Sequence, residues 1–187
     1  MEPGKIVFQG LIRETEVVVR YPTMDDIAPL QEFINTASAE RTFIRLQGQV
    51  FTFDQEAQYL DDVLSKIKDQ EMVKLMVFVG GELVAGGDVI RSSFVAAKHL
   101  GELGIIVAKP MRGKGIGRKL VELLIEQARE RLPGLEMIIL SVYKQNQVAI
   151  QLYEQLGFME YGRLPNGRKR IEGYDDQIEM YLVLHSR

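Results

Sequence analysis

The chain has 187 residues and a formal net charge of −3, from 23 Lys and Arg against 26 Asp and Glu. That length suits one domain with a sizeable core, and the slight acidity gives no global argument for nucleic acid or an anionic membrane. With no cysteine and only two histidines, His99 and His185, a disulfide framework, thiolate metal sites and acyl-cysteine chemistry are all excluded.

The opening Met1-Glu2-Pro3-Gly4-Lys5 lacks the apolar core of a signal peptide. No apolar run reaches the ~18 residues of a membrane span, so a cytoplasmic protein is expected. Ile6-Val7-Phe8, within residues 1–13, reads as an extra edge strand or a loose arm. Val17-Val18-Val19 is β-branched and predicts a strand ended by Pro22. Thr23 to Asp26 forms a capping box for a helix through about Ala37, with Ile27, Leu30, Phe33 and Ile34 on one face. Residues 38–51 show no period. Thr52 to Gln55 is a second capping box, opening a helix that carries Ala57, Leu60, Val63, Leu64 and Ile67.

Met72–Val79 and Glu82–Val89 flank Gly80-Gly81, a hairpin with strong turn chemistry. After a polar piece at 91–98, His99–Val107 is another strand. A glycine-rich turn then opens a helix with Ile116, Leu120, Leu124 and Ala128 at four-residue spacing, stopped by Pro133-Gly134. Met137–Val142 is almost continuously apolar and predicts a strand covered on both faces, with Ile139 buried in it. Asn146 caps the next helix and Gly157 ends it. Phe158–Leu164 and Gln177–Leu184 form a closing antiparallel pair, joined by a polar, basic connection over 162–176. The two histidines read as partly exposed strand-end residues. No repeat or interior linker interrupts residues 1–187, which are expected to form one α/β domain with a mixed sheet.

The stretch Arg112-Gly113-Lys114-Gly115-Ile116-Gly117-Arg118-Lys119 carries the chemical signal. No Ser, Thr, Asp or Asn stands where a helix cap should accept the free amides. Its first turn crowds Arg112, Lys114, Arg118 and Lys119 at the end of the helix where the dipole favours acids. Bare amides, glycines and cations together are the parts of a phosphate cradle; the bland alternative is a glycine turn followed by a solvated basic face. No Gly-Lys-Ser or Gly-Lys-Thr exists, and the glycines at 113, 115 and 117 break the dinucleotide spacing.

Arg112-x-x-Gly115-x-Gly117, after an Ile-Ile-Val strand, followed by Asn146-x-x-Ala149-x-x-Leu152-Tyr153 and Gly157-Phe158, resembles the GCN5-related N-acetyltransferase (GNAT) superfamily. The resemblance implies a GNAT-type mixed, mostly antiparallel twisted sheet flanked by helices. It also implies acetyl-CoA as co-substrate, no metal, and direct transfer of acetyl to a primary amine. On the family pattern, the amides around Gly113, Lys114, Gly115, Ile116, Gly117 and Arg118 hold pyrophosphate, with charge from Arg112, Lys114 and Arg118. Ile105 and Val107 offer backbone groups to pantetheine, and Asn146 contacts it.

Tyr153 lies seven residues after Asn146, two turns on along one helix face. Periodicity alone makes it a core tyrosine beside Ala149, Leu152 and Leu156; the family pattern makes it the acid for the leaving sulfur. Glu102, on the strand exposing the acetyl group, is the candidate base, with a solvated strand-end carboxylate as its bland reading and an ordered water as its rival. The expected acceptor is a small amine or amino acid; a protein N-terminal or lysine amine is the alternative acceptor. A non-catalytic acyl-CoA-binding sensor is the alternative class. Neither nucleic acid nor membrane is expected as a partner, and a homodimer is left open.

Overall fold

The computed structural model describes residues 2–184, so His185 lies outside the described residues. Its strands are β1 (Ile6–Ile12), β2 (Thr15–Arg20), β3 (Met72–Val79), β4 (Glu82–Arg91), β5 (Leu100–Val107), β6 (Met137–Tyr143), β7 (Met159–Arg170) and β8 (Gly173–Val183). The helices are α1 (Ile27–Ala39), α2 (Phe53–Lys68), α3 (Ile116–Arg131) and α4 (Gln147–Gln155). The strands make one mixed sheet in the order β1-β2-β3-β4-β5-β6-β8-β7. Every pairing is antiparallel except that of β5 with β6. Parallel neighbours need a crossover, and α3 supplies it.

The core forms where the helical stripes meet β3 and β4. Ile116, Leu120, Leu124 and Ala128 of α3 are buried, and α3 packs over both strands. Gly87 makes that approach possible: a Cβ there would stand 2.8 Å from Leu124 Cδ1 and 2.8 Å from the Gly104 carbonyl. Leu60, Val63 and Ile67 of α2 and Leu30 and Phe33 of α1 are buried, α2 packing on β3 and α1 on β4. Before α1, the Asp26 carboxylate accepts from the Thr23 amide at 2.8 Å and is gripped by Arg20 at 2.6 and 2.7 Å. This box opens a 3-10 turn, Met24–Asp26, and the α-helix proper begins at Ile27.

Two expectations are corrected. The 162–176 segment is mostly strand: β7 and β8 form a long hairpin that turns near Ile171 and Glu172. Its polar residues resemble a loop because β7 is an edge strand with most of its side chains exposed. Strand β6 buries one face only. Ile138, Leu140 and Val142 are in the core, whereas Ile139 is half-buried among Met137 and Ser141. Ile138→Ala is therefore the damaging truncation, with an expected loss of about 2–5 kcal/mol. Ile139→Ala should cost clearly less, and denaturant melts of the two variants check the order.

Candidate active site

The β5–β6 contact lasts for three register pairs, Leu100↔Met137, Gly101↔Ile138 and Glu102↔Ile139. Beyond them β5 stays with β4 as far as Val107, and β6 stays with β8 as far as Tyr143. Two strands held by their outer neighbours and no longer by each other enclose a wedge. The backbone of Leu103–Val107 on that side has no strand partner among the described residues. The wedge opens into a cleft of about 1300 Å³ between loop 42–46, the start of α3 and one face of α4.

The start of α3 is bare. Gly115 occupies the cap position with φ 86°, the left-handed region that glycine enters without strain, and no side chain caps the helix. Lys119 is the first residue whose amide reaches a helical carbonyl, that of Gly115 at 3.1 Å. The amides of Ile116, Gly117 and Arg118 find no acceptor among the described residues. The first turn holds no acid. Arg13, beyond β1, props the loop by donating to the Gly113 carbonyl at 2.8 Å. The cations around the turn differ in how free they are. Arg112 donates to the Val107 carbonyl at 2.9 Å and to Glu40 at 2.6 Å, so its charge is matched within the protein. Arg118 hydrogen-bonds Gln155 and lies 3.8 Å from Glu122. Among the described residues Lys114 reaches only the Met111 sulfur, at 3.6 Å.

Helix α4 brings Asn146 and Tyr153 to the same cleft. The Asn146 side chain caps α4 by accepting from the Ala149 amide at 3.3 Å. Its amide nitrogen has no partner among the described residues. Tyr153 is buried, its ring edge-on to Phe158 at 5.7 Å, and burial pushes its phenol up to about 12. Its hydroxyl likewise has no hydrogen-bond partner among the described residues. Glu102 is exposed and paired with Arg45 from the irregular loop.

Glu102, Ile105, Val107, Arg112, Gly113, Gly115, Gly117, Arg118, Asn146 and Tyr153 thus line one cleft. Ile116 instead buries its side chain in the core and can offer only its amide. Lys114 lies outside the lining. Sequence reading missed Glu56 of α2, Lys74 of β3, Asp88 of β4 and Arg45, which line the cleft as well. A usable signal was present: Lys74 interrupts an otherwise apolar strand, and Glu56 precedes Leu60 by four residues on the buried stripe of α2. Among the described residues, no group of three or more His, Cys, Asp or Glu could hold a metal, and no helix is long and apolar enough to cross a membrane.

A model of the Acetyltransferase (GNAT) family matches residues 33–158, and the chain belongs to that family. Among curated relatives, L-amino acid N-acyltransferase MnaT of Escherichia coli is 32% identical over 95 residues, 51% of this chain and 54% of that protein. Spermidine N(1)-acetyltransferase of Vibrio cholerae is 36% identical over 87 residues, 44% of this chain and 47% of that protein. The chain thus spans about half the length of these relatives. A GNAT-family acetyltransferase from Streptococcus pneumoniae superposes with a TM-score of 0.83 at 27% identity, covering 91% of this chain and 100% of that one. The Salmonella typhimurium protein yncA, solved with its cofactor acetyl-CoA, shares the fold with a TM-score of 0.79 at 22% identity, over 91% of this chain and 95% of that one.

The bare helix start makes a prediction that needs no substrate. Inorganic pyrophosphate should raise the melting temperature of the wild-type chain, less so as salt increases. Gly115→Asp should abolish the effect, because a carboxylate then faces the anion and a Cβ stands 3.3 Å from Ile12 Cγ2. Asp tolerates the left-handed conformation better than most residues, so the variant folds. Equal stabilisation of wild type and variant would place the anion elsewhere.

Proposed function

We propose that this chain is an acetyl-CoA-dependent N-acetyltransferase that acylates a primary amine directly, a small amine or amino acid being the favoured acceptor. The observation carrying this reading is the wedge: one cleft joins an unpaired strand edge, an uncapped glycine-rich helix start and a buried phenol with a free hydroxyl. The residues fit the donor. The amides of Ile116, Gly117 and Arg118, with Lys114 beside them, would hold its pyrophosphate. The open backbone edge at Ile105 and Val107, where Arg112 already occupies the Val107 carbonyl, and the Asn146 side chain would hold its amide-bearing arm. When bound, acetyl-CoA supplies an acyl group already activated as a thioester.

What the chain then contributes is position and proton management. The Tyr153 hydroxyl donates toward the departing sulfur. A phenol raised to about 12 stays protonated across the neutral range, so no loss of this donor is expected on the alkaline side until well above pH 10. An amine of ordinary basicity arrives as ammonium and must lose a proton. Glu102, or a water beside it, takes that proton, with Arg45 holding the carboxylate in place. We take residues 1–187 as one domain acting in the cytoplasm without a metal. The charged groups of the cleft's remaining half favour turnover over a sensor role, because a module that only held the donor would have no use for them.

Thiol release followed across a panel of amines, amino acids and a peptide with a free N-terminal alanine tests the activity and identifies the acceptor class. Release with none of them would sink the proposal. For the residue at its centre, Tyr153→Phe keeps the ring and its packing on Phe158. Its turnover number should fall about 10²–10⁴-fold if the hydroxyl is a full general acid, while affinity for acetyl-CoA and melting temperature hardly move. A core tyrosine without a chemical role would give the opposite pattern.

A further inference from the structure

Beyond the wedge the cleft continues beneath α2, where it carries charges that the transfer chemistry does not use. Lys74, Asp88 and Gly104 lie in one row across β3, β4 and β5. Lys74 is buried, with Nζ 3.2 Å from Asp88 Oδ2 and 3.1 Å from the Tyr59 hydroxyl. Burial alone would lower its ammonium, but Asp88 and Tyr59 outweigh burial and raise it above the ordinary value. Asp88 Oδ1 is turned toward β5, 3.7 Å from where a Cβ on Gly104 would stand.

Glu56 precedes Tyr59 by three residues on α2 and faces the same space. The residue is only 5% exposed overall, its carboxylate makes no hydrogen bond or ion pair among the described residues, and its oxygens are not sealed off but open on the cleft. A carboxylate so sheltered is normally met by a donor. Lys74 does not supply one, since its bonds go to Asp88 and Tyr59. Glu56 is pushed above the usual carboxylate range by burial, with Lys74 opposing. Of the other charges along the cleft, Glu102 is matched by Arg45, Arg112 by Glu40 and Arg118 by Glu122 at 3.8 Å. Arg168 of β7 bonds Ser141 and lies over Tyr143 on the β6 side. Counting Lys74 as +1 and Asp88 and Glu56 as −1 each leaves this compartment one negative charge over, with Glu56 the carboxylate that has no partner.

The row also sets a distance. Lys74 and Gly104, in register on β3 and β5, stand two strand spacings apart, roughly 10 Å, and Glu56 faces the Lys74 end of that row. Resting on the acetyl-transfer reading, we propose that Glu56 anchors a second, non-reacting ammonium of the acceptor, and that the chain selects amines carrying two cationic ends about that far apart. Recognition is by a charge-assisted hydrogen bond in an enclosed site. The reacting amine lies at the β5 end of the row.

Diaminoheptane and heptylamine, matched in length, are the probes. Wild type should show a KM for the diamine at least about tenfold lower than for the monoamine, the factor one charge-assisted bond is worth. Glu56→Gln should erase that preference by raising the diamine KM, leaving the KM for heptylamine and for acetyl-CoA unchanged. Since Glu56 holds no protein group, the variant orphans nothing and folds; a purely structural Glu56 would move the melting temperature and leave the KM ratio intact. A second measurement does not depend on turnover. In protein labelled with ¹³C at the glutamate carboxyls, diaminoheptane should lower the titration midpoint of Glu56, and heptanediol, its uncharged match, should not. A Glu56 signal indifferent to the diamine, or a preference surviving Glu56→Gln, overturns the anchor. A shifted Glu56 signal with no thiol released on any amine would leave the anchor standing and overturn the transferase reading instead.

Discussion

A strand in a sheet has two edges of amides and carbonyls, and each must meet a partner or water. In this molecule β5 and β6 give up one edge to each other after Glu102 and Ile139. They remain ordered because β4 and β8 hold the outer edges along their full lengths. Everything chemical depends on that divergence. It exposes polar backbone at the mouth of an otherwise apolar core, and it lets α3 begin and α4 dock against the gap. The packing of α3 on the sheet at Gly87 keeps the helix start fixed relative to the opened strand.

Charge is distributed around the opening with some economy. The helix start is positive by virtue of bare amides as much as side chains, since Arg112 is neutralised by Glu40 and Arg118 is engaged with Gln155. The Arg112–Glu40 pair also ties the end of α1 to the turn beyond β5, so a residue read as a phosphate contact is in addition a strut between two elements. A guanidinium that bonds a carbonyl and a carboxylate at once is well suited to that work. On the α2 side the balance tips the other way, toward an enclosed negative charge.

The helical stripes and the glycine turn were legible because both are local. Four-residue spacing from Ile116 to Ala128 is decided by the helix itself, and a missing cap can be seen from adjacent residues. The inner half of the β7–β8 hairpin was legible as a closing antiparallel pair, but its outer half was not, because an edge strand beyond the core has no buried face to imprint a period-two pattern on its sequence. Ile139 misled for a related reason: a run of apolar residues does not say which face of β6 is covered. Pairings such as Arg112 with Glu40 or Arg45 with Glu102 join residues 72 and 57 positions apart, and no local pattern encodes them. Glu56 and Lys74 were given no reading, although Glu56 stands four residues before Leu60 on the buried stripe of α2 and Lys74 shares its face of β3 with Met72 and Met76.

The segment between α1 and α2 is irregular yet firmly moored. Gln47 grips the Thr42 and Ile44 carbonyls at 3.0 and 2.8 Å, Tyr143 donates to Ile44 at 3.0 Å, and Asn35 clasps Phe51 through both its side-chain oxygen and nitrogen. Beyond Glu40, which holds Arg112 at the glycine-rich stretch, it covers one end of the cleft. Such a lining is replaceable in units. Insertions or exchanges within it would reshape what enters while the donor-facing apparatus stays as it was, so a lineage built on this scaffold could acquire new clients without reinventing its reaction.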